Sequence, residues 1–372
     1  MIIGIPKETH PEEKRVALVP SSVERLVKKG AQVMIESGLG TSIHINDEEY
    51  KKAGALVHAD RKIIFNDSDI VLRLRKPPLE EIAQLKKNSI HISFLDPFNE
   101  PVLVDAFAAN RISAISMEMI PRTTRAQKMD ALSSQANLAG YVSVIIAAER
   151  LFKIFPMLMT PAGTIIPVRV FVIGAGVAGL QAIATAKRLG ARVEAFDTRS
   201  VVKEQVQSLG AKFVEIDLGD TGQTKDGYAK ALSPEQLEKQ RQGMTKVCAQ
   251  SDVVITTAQV FGRKAPVLLT KDMIAQMKPG TAVIDMAAET GGNVEGSKLN
   301  EEVDINGVHI MGFGNLPGRV AFHASQMYSN NLYALIEEFW DKEKKSFQLK
   351  LEDEILKGAL VTHDGKILFK TS

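Results

Sequence analysis

Short apolar runs alternate with amphipathic stretches over the first 120 residues, a pattern that predicts alternating strands and helices. Strands are predicted at residues 1–5, 31–35, 69–74, 89–95 and 112–117. Helices are predicted at residues 21–29, 48–53, 79–87 and 101–110. Ser21 and Glu24 have the spacing of a capping box at the start of the first helix. Alternating strands and helices predict a parallel, doubly wound sheet.

A long helical pattern at residues 129–155 separates this region from a second alternation. The second set of strands is predicted at residues 168–173, 192–196, 212–216, 252–257, 281–286 and 308–313. A helix at 323–344 and an irregular hairpin from Phe347 follow. The predicted fold class is α/β, with two doubly wound parallel-sheet (Rossmann-like) domains joined by long helices. A cleft between the domains is the expected ligand site.

The expected domain boundaries follow from this order of elements. The first domain is discontinuous, with residues 1–128 plus 323–372, and the second spans 129–322 and includes the linking helix. A polar stretch at 218–227 interrupts the second alternation and is predicted to be a long, functional or disordered loop. Tyr228 follows it, and the local pattern favours a surface tyrosine that caps the next helix.

Composition and charge exclude several classes of protein. The 46 Lys and Arg residues nearly balance 44 Asp and Glu residues, which argues against a nucleic-acid-binding protein. A single cysteine, Cys248, excludes an internal disulfide framework and fits a reducing compartment. The histidines lack metal-ligand spacing, so no metal site is predicted. No apolar run reaches the roughly 18 residues of a membrane span, and the first residues do not resemble a signal peptide.

The most informative local motif is G-x-G-x-x-G at Gly174, Gly176 and Gly179. A β-branched strand precedes it and an alanine-rich helix follows, which is the context of a dinucleotide-binding turn. The first glycine allows a tight turn, the second lets the backbone approach a pyrophosphate, and the third lets helix and strand pack closely. The helix N-terminus would supply N–H groups and positive potential to the phosphates.

The next predicted strand ends just before Asp197, close to the expected distance of about 20 residues beyond the last glycine. A carboxylate there accepts hydrogen bonds from the adenosine ribose and repels a 2′-phosphate, which predicts NAD(H) rather than NADP(H). Arg199 complicates this interpretation, because an arginine accommodates a 2′-phosphate. We give the acid more weight. The alternative is a doubly wound domain with an empty crevice.

A second dense region of polar side chains lies at residues 121–140, ahead of the long apolar helix. Two interpretations are equally supported by the spacing alone. Polar groups at a domain junction suit ligand contact, whereas Asp130 with Ser133 and Ser134 also suits the start of the helix as a cap.

Taken together, the chain resembles the soluble NAD(H)-binding component of proton-translocating nicotinamide nucleotide transhydrogenases. The resemblance covers nearly the whole chain, through IPKE…RVALVP at 5–20, PRTTRAQKMDALSSQANLAGY at 121–141, GAGVAGLQAIATAKRLGA at 174–191, KEQVQSLGAKF at 203–213, DGYAK at 226–230, ITTA at 255–258 and KPGTAVIDMAAETGGN at 278–293.

The resemblance implies NAD(P)+ transhydrogenase activity of the Re/Si-specific, proton-translocating class. This component holds NADH for hydride transfer to NADP+ on a partner subunit, and a transmembrane proton-channel subunit couples transfer to proton movement. It also implies a homodimer that is cytoplasmic and peripheral on the inner face of the plasma membrane, through its partner subunits. The chain alone is expected to bind NAD(H) without productive turnover.

The family's nicotinamide-contacting loop matches Arg122, Gln127, Asp130 and Ser133, which become the candidate catalytic residues. Its mobile loop matches the polar insertion that ends at Tyr228, which raises the expectation of a functional role for that tyrosine. The candidate cofactor-binding residues are Gly174, Gly176, Val177, Ala178, Gly179, Asp197, Thr198, Arg199, Tyr228, Thr257 and Ala258.

Alanine dehydrogenases share this fold and are the main alternative. They need an arginine and a lysine for the substrate and a histidine for catalysis. Arg15 matches the arginine, but Arg75 and Asp96 stand at the lysine and histidine positions. A carboxylate does not replace an imidazole near neutral pH without a large pKa shift, so this activity is disfavoured. A non-catalytic NAD-binding module is the third possibility.

Overall fold

The structure is a computed structural model that describes residues 1–219, 221, 232–260 and 262–369. The chain forms two compact units. The first comprises Met1–Gln135 with Val320–Ser372, and the second comprises Ala136–Arg319. Each unit contains a largely parallel sheet with helices, so the predicted α/β class with two parallel-sheet units is confirmed.

The N-terminal part of the first unit alternates strands with helices. Its strands are β1 (Ile2–Ile5), β2 (Gln32–Glu36), β3 (Leu56–His58), β4 (Ile70–Leu72), β5 (Ile90–Ser93) and β6 (Ser113–Ser116). Its helices are α1 (Pro20–Lys28), α2 (Asp47–Lys52), α3 (Arg61–Asp67), α4 (Leu79–Ile82) and α5 (Pro101–Ala109). The sequence pattern missed β3 and α3, which are too short for a clear periodicity.

These six strands are all parallel, in the order β3-β2-β1-β4-β5-β6. Every residue of β4, β5 and β6 is buried, as expected for strands covered on both faces by helices. The predicted capping box at α1 is wrong. Val19 is the N-cap and makes no side-chain bond, because Pro20 supplies the preset φ of a first helical residue instead.

Helix α6 (Ala131–Arg150) leaves the first unit and continues into the second. By length and composition it is the single helix within the described ranges that suits a membrane span, and half of the tested stretch is buried within the structure. The buried helix of a protein core has the same properties, so α6 by itself does not indicate a span.

The second unit continues the pattern. Its strands are β7 (Leu158–Thr160), β8 (Gly163–Ile165), β9 (Arg169–Ile173), β10 (Arg192–Phe196), β11 (Lys212–Phe213), β12 (Val253–Thr256), β13 (Ala282–Asp285), β14 (Glu302–Ile305) and β15 (Val308–Met311). Its helices are α7 (Val177–Arg188), α8 (Lys203–Ser208), α9 (Pro234–Cys248) and α10 (Lys271–Ile274).

The main sheet of this unit has the order β11-β10-β9-β12-β13-β15-β14, and only β14 is antiparallel to its neighbour. Its core contains Phe171, Val254, Val283 and Ile310, which are fully buried. Strands β7 and β8 form a separate hairpin whose residues are all exposed. The sequence pattern did not predict this hairpin.

The chain then returns to the first unit. The elements there are α11 (Ala321–Glu338), β16 (Trp340–Asp341), β17 (Ser346–Phe347), α12 (Glu354–Ala359), β18 (Leu360–His363) and β19 (Lys366–Ile367). Strand β18 pairs antiparallel with β6 and extends that sheet to eight strands. The prediction of an irregular hairpin from Phe347 is therefore wrong, because the last strands are completed by pairing with a strand more than 200 residues earlier.

Candidate functional site

The glycine-rich turn links β9 to α7 in the second unit. Gly174 has φ +99°, and a Cβ there would lie 2.5 Å from Thr257 Oγ1. A Cβ on Gly179 would lie 1.9 Å from the Gly174 carbonyl oxygen. Packing therefore requires glycine at both positions. Gly176 differs, because a Cβ there would meet no described atom within 4 Å, and its φ of −78° suits any residue.

Gly176 is the N-cap of α7, and no side chain of the described residues caps this helix start. The first N–H groups of a helix have no intrahelical acceptor and carry positive potential. The predicted contacts Gly174, Gly176, Val177, Ala178 and Gly179 thus lie on one turn with open space beside it. This is the geometry of an anion site that accepts a phosphate against bare backbone.

Asp197 directly follows β10 and lies beside this turn. Its Oδ2 accepts the Ala175 N–H at 2.8 Å and Arg199 Nη2 at 2.7 Å. Its Oδ1 accepts the Arg199 backbone N–H and Nε, both at 2.9 Å. The hydrogen bond to Asp197 raises the pKa of Arg199. The acid predicted to bind ribose is therefore ion-paired to the arginine that the sequence could only describe as a complication.

The neighbouring edge of the sheet carries Thr257 and Ala258, directly after β12. The Thr257 N–H donates to the Ile173 carbonyl at 2.9 Å, and its hydroxyl donates to the Gly174 carbonyl at 3.1 Å. Thr198 lies after Asp197, where its carbonyl accepts the Thr221 hydroxyl. The predicted cofactor residues on β9, β10 and β12 are thus brought to the carboxyl ends of adjacent parallel strands, where ligands bind in such folds.

Two buried residues that the sequence interpretation missed support this edge. Asn293 holds Ala258 at both backbone groups, accepting its N–H at 3.1 Å and donating to its carbonyl at 2.8 Å. Asp285, at the end of β13, accepts the N–H groups of Ala287, Asn293 and Val294 at 3.0–3.3 Å. The available signal was an acid that ends a strongly apolar strand and is followed within eight residues by Gly-Gly-Asn.

The polar loop of the first unit contains a short 3-10 helix, Gln127–Met129, and leads into α6. Asp130 accepts the Ser133 N–H at 2.8 Å and the Ser133 hydroxyl at 2.6 Å. These bonds are those of a helix cap, so the capping interpretation of Asp130 describes the observed geometry. Arg122 and Gln127 are exposed. Their contact with a ligand stays a prediction.

The C-terminal segment holds this loop in place. Asn331 of α11 donates to the Lys128 carbonyl at 2.9 Å and accepts the Ser134 hydroxyl at 2.7 Å. Arg125 forms ion pairs with Glu338 and Asp353. The backbone of the loop is therefore fixed on both sides of Gln127, while the Gln127 side chain stays accessible.

The positions at which alanine dehydrogenases bind and transform substrate are engaged differently here. Arg15 and Arg75 both bond Glu13, at 2.7 and 2.8 Å. Burial opposes ionisation of Glu13, but the two arginines outweigh it and lower its pKa to about 2. Asp96 has φ +52° and accepts the Asn99 amide at 2.7 Å. No imidazole stands at this position.

Tyr228 and most of the polar insertion lie outside the described residues. Cys248 ends α9, and burial raises its pKa to about 12, which is typical of an inert thiol. In the described ranges, no group of three His, Cys, Asp or Glu side chains is arranged to hold a metal ion.

Comparison with known proteins agrees with these features. The family profiles described as "Alanine dehydrogenase/PNT, N-terminal domain" and "Alanine dehydrogenase/PNT, C-terminal domain" match residues 4–139 and 143–370. The first of the two polypeptides that make up NAD(P) transhydrogenase subunit alpha in Rhodospirillum rubrum is 43% identical, over 99% of this chain and 98% of that protein. An alanine dehydrogenase of Halomonas elongata is 28% identical over 100% of this chain and 95% of that protein.

Among solved structures, that of the transhydrogenase from Sinorhizobium meliloti is similar over 99% of this chain and 100% of that one. The TM-score is 0.89 and the sequence identity 42%. An L-alanine dehydrogenase structure has a TM-score of 0.82 at 24% identity and covers 99% of this chain and 97% of that one, which shows a shared fold.

Proposed function

This chain belongs to the alanine dehydrogenase/PNT family, and we propose that it is the NAD(H)-binding component of a proton-translocating NAD(P) transhydrogenase. The observation that carries the proposal is the uncapped start of α7 beside Gly176, where open space meets bare backbone N–H groups. Nothing in the packing of the chain requires a glycine there, whereas close approach of a pyrophosphate does.

Each part of the site has a separate task in this proposal. The turn at Gly174, Gly176, Val177, Ala178 and Gly179 binds the pyrophosphate, and the edge residues that follow β10 and β12 bind the adenosine half. When bound, NADH supplies the hydride that passes to NADP+ on a partner subunit. No side chain of this chain needs to donate or remove a proton, so its contribution is placement.

The polar loop supplies that placement. Gln127 and Arg122 are proposed to orient the nicotinamide ring and its carboxamide, and Asp130 with Ser133 to set the first turn of α6 behind them. Hydride transfer needs reacting carbons at about 3–3.5 Å, and a misplacement of about 1 Å lowers the rate on the order of 100-fold. The fixed backbone of the loop suits this demand.

Partner subunits complete the proposed activity. NADP(H) is held by one subunit, protons cross the membrane through another, and this chain is peripheral at the inner face of the plasma membrane, active only in the complex. A homodimer is proposed as well. Its support is the exposed apolar surface of the hairpin region, where Met159 and Ile166 are about three-quarters exposed.

Alanine dehydrogenase activity is the second candidate, and the replacements at Arg75 and Asp96 argue against it. The deciding experiment mixes the chain with the NADP(H)-binding component of a related transhydrogenase and follows hydride transfer from NADH. We expect transfer only in the mixture. NADH oxidation by the chain alone with pyruvate and ammonia would instead establish the dehydrogenase. NADH binding without transfer in the mixture would leave a binding module.

A further inference from the structure

All acceptor positions of Asp197 are already in use. A carboxylate offers about four lone-pair sites, and Asp197 receives four donors: two backbone N–H groups and two guanidinium N–H groups of Arg199. Its side chain is only 6% exposed, and that of Arg199 is 16% exposed. The carboxylate therefore has no free site for a further hydroxyl donor while this ion pair persists.

The four donors differ in how easily they leave. The N–H groups of Ala175 and Arg199 belong to the backbone around the glycine turn and stay where the fold puts them. The guanidinium donors sit on a flexible side chain. A ribose that bonds Asp197 through its two hydroxyls must therefore replace Nε and Nη2 of Arg199.

We propose that Arg199 competes with the adenosine ribose for Asp197 and so limits the preference of this site for NAD(H) over NADP(H). The proposal rests on the proposed function, because it takes the second unit to bind a dinucleotide. Binding of a ribose with free hydroxyls requires the arginine to leave its carboxylate. The apparent affinity is then reduced by the fraction of molecules in which the arginine has left.

A 2′-phosphate changes this balance. A displaced guanidinium finds a new partner in the phosphate, with which arginine forms charge-assisted, often bidentate bonds. The same residue that opposes NADH therefore compensates part of the repulsion between Asp197 and the 2′-phosphate of NADPH. Removal of the guanidinium is expected to shift the two affinities in opposite directions.

The test titrates the full chain with NADH and with NADPH and follows nucleotide fluorescence. In Arg199→Gln, we expect the Kd for NADH to fall roughly 3- to 10-fold and that for NADPH to rise about 10-fold, as order-of-magnitude effects of one charge-assisted contact. Arg199→Ala is the second variant, in case glutamine still donates to Asp197. It should shift both constants in the same directions, and melting temperatures show that each variant is folded.

The matched control is Arg169→Gln. Arg169 pairs with Glu194 at 2.8 Å, so it is also an arginine bonded to a carboxylate of the β10 segment, at the opposite end of β9 from the glycine turn. Loss of that pair should leave both dissociation constants unchanged. A double variant sharpens the result, because Arg199→Gln in an Asp197→Asn background should no longer tighten NADH binding.

The outcomes separate this proposal from the function on which it rests. If the wild-type chain binds neither nucleotide, the proposed function fails. If the wild type binds NADH but Arg199→Gln weakens that binding or leaves the NADH-to-NADPH ratio of Kd values unchanged, the competition is overturned and Arg199 is an ordinary contact or a bystander.

Discussion

The sheets of the two units have the same strand order but differ at the place where that order reverses. In the first unit the reversal lies between β1 and β4, and in the second between β9 and β12. Ligands of doubly wound folds bind in the crevice at such a reversal. The two crevices therefore start from the same topology, and only their side chains distinguish them.

Ion pairs close the crevice of the first unit. Glu8, which follows β1, accepts the Leu74 N–H at 2.6 Å and pairs with Arg73, which follows β4. Arg73 also pairs with Glu81, and its carbonyl accepts the Tyr328 hydroxyl at 2.8 Å. Both Glu8 and Arg73 are almost fully buried. Side chains of the protein thus occupy the place that a ligand would take.

Glycines keep the crevice of the second unit open. Its turn carries no bulky side chain between Ile173 and Val177, and the start of α7 keeps its N–H groups available. The difference shows that a doubly wound sheet supplies a crevice but no ligand. The choice between a closed salt-bridge cluster and a phosphate site depends on a few residues after the central strands.

The largest expected effect comes from breaking the closed crevice. Arg73→Met leaves Glu8 and Glu81 without their buried cation, so we expect the free energy of unfolding to fall by about 3–5 kcal/mol. Urea unfolding measures it. Lys86→Met is the control, since it removes a half-exposed pair with Asp69 and should cost about 1 kcal/mol or less. Equal losses in the two variants would show that burial of the Arg73 cluster adds nothing.

Closing the open crevice should abolish binding without unfolding. Gly176→Ala introduces a Cβ that meets no described atom and a φ that alanine tolerates, so the melting temperature should not fall. NADH affinity should decrease roughly 100-fold, as for the loss of one or two charge-assisted hydrogen bonds of about 1.5–3 kcal/mol each. Gly179→Ala, by contrast, should lower stability too, because its Cβ meets the Gly174 carbonyl. Unchanged NADH binding in Gly176→Ala would remove the turn from the site.

If the first unit contributes placement rather than affinity, Gln127→Asn should slow the reaction far more than it weakens binding. The shorter side chain keeps its amide, and we expect the rate of hydride transfer in the reconstituted complex to fall by roughly one to two decades. NADH affinity should change much less. Gln84→Asn, an exposed glutamine of the same unit, is the control. A wild-type rate in Gln127→Asn would show that this loop takes no part in transfer.

The closed crevice should also make the first unit sensitive to acid. Burial, and then the charge of Arg73, lowers the pKa of His91 to about 3, so the unfolded chain binds this proton first as pH falls. The unfolding free energy should therefore decrease below about pH 6.5, by up to about 1.4 kcal/mol per pH unit, until pH 3. His91→Gln should flatten this slope between pH 7 and 5. Parallel slopes for both proteins would assign the acid sensitivity elsewhere.

The smallest expected effect concerns Asp130. If the residue acts only as a helix cap for Ser133, Asp130→Asn should leave transfer rate and stability nearly unchanged, because asparagine caps equally well. If it also orients the nicotinamide, transfer should slow at unchanged melting temperature. The comparison of the two readouts therefore decides between the interpretations that the sequence left open.

The sequence predicted most of the secondary structure. Strand β10 has the predicted bounds, and β9 and β12 differ from prediction by a residue at one or both ends, because long apolar runs between turns are recognisable locally. Strand β18 was missed, since its apolar residues become a sheet edge only by pairing with β6. Short elements such as β3 carry too few residues to show a period.

The chemistry of the site divides along the same line. By itself the sequence determined the glycine turn and the acid at the end of the next strand, because φ angles, helix starts and strand lengths depend on neighbouring residues. Only the tertiary structure decided that Arg199 holds Asp197, that Asn293 holds Ala258, and that Glu8 and Arg73 close the other crevice. These contacts depend on which strand ends the folded sheet brings together and on which side chains are buried there, and a linear pattern contains neither.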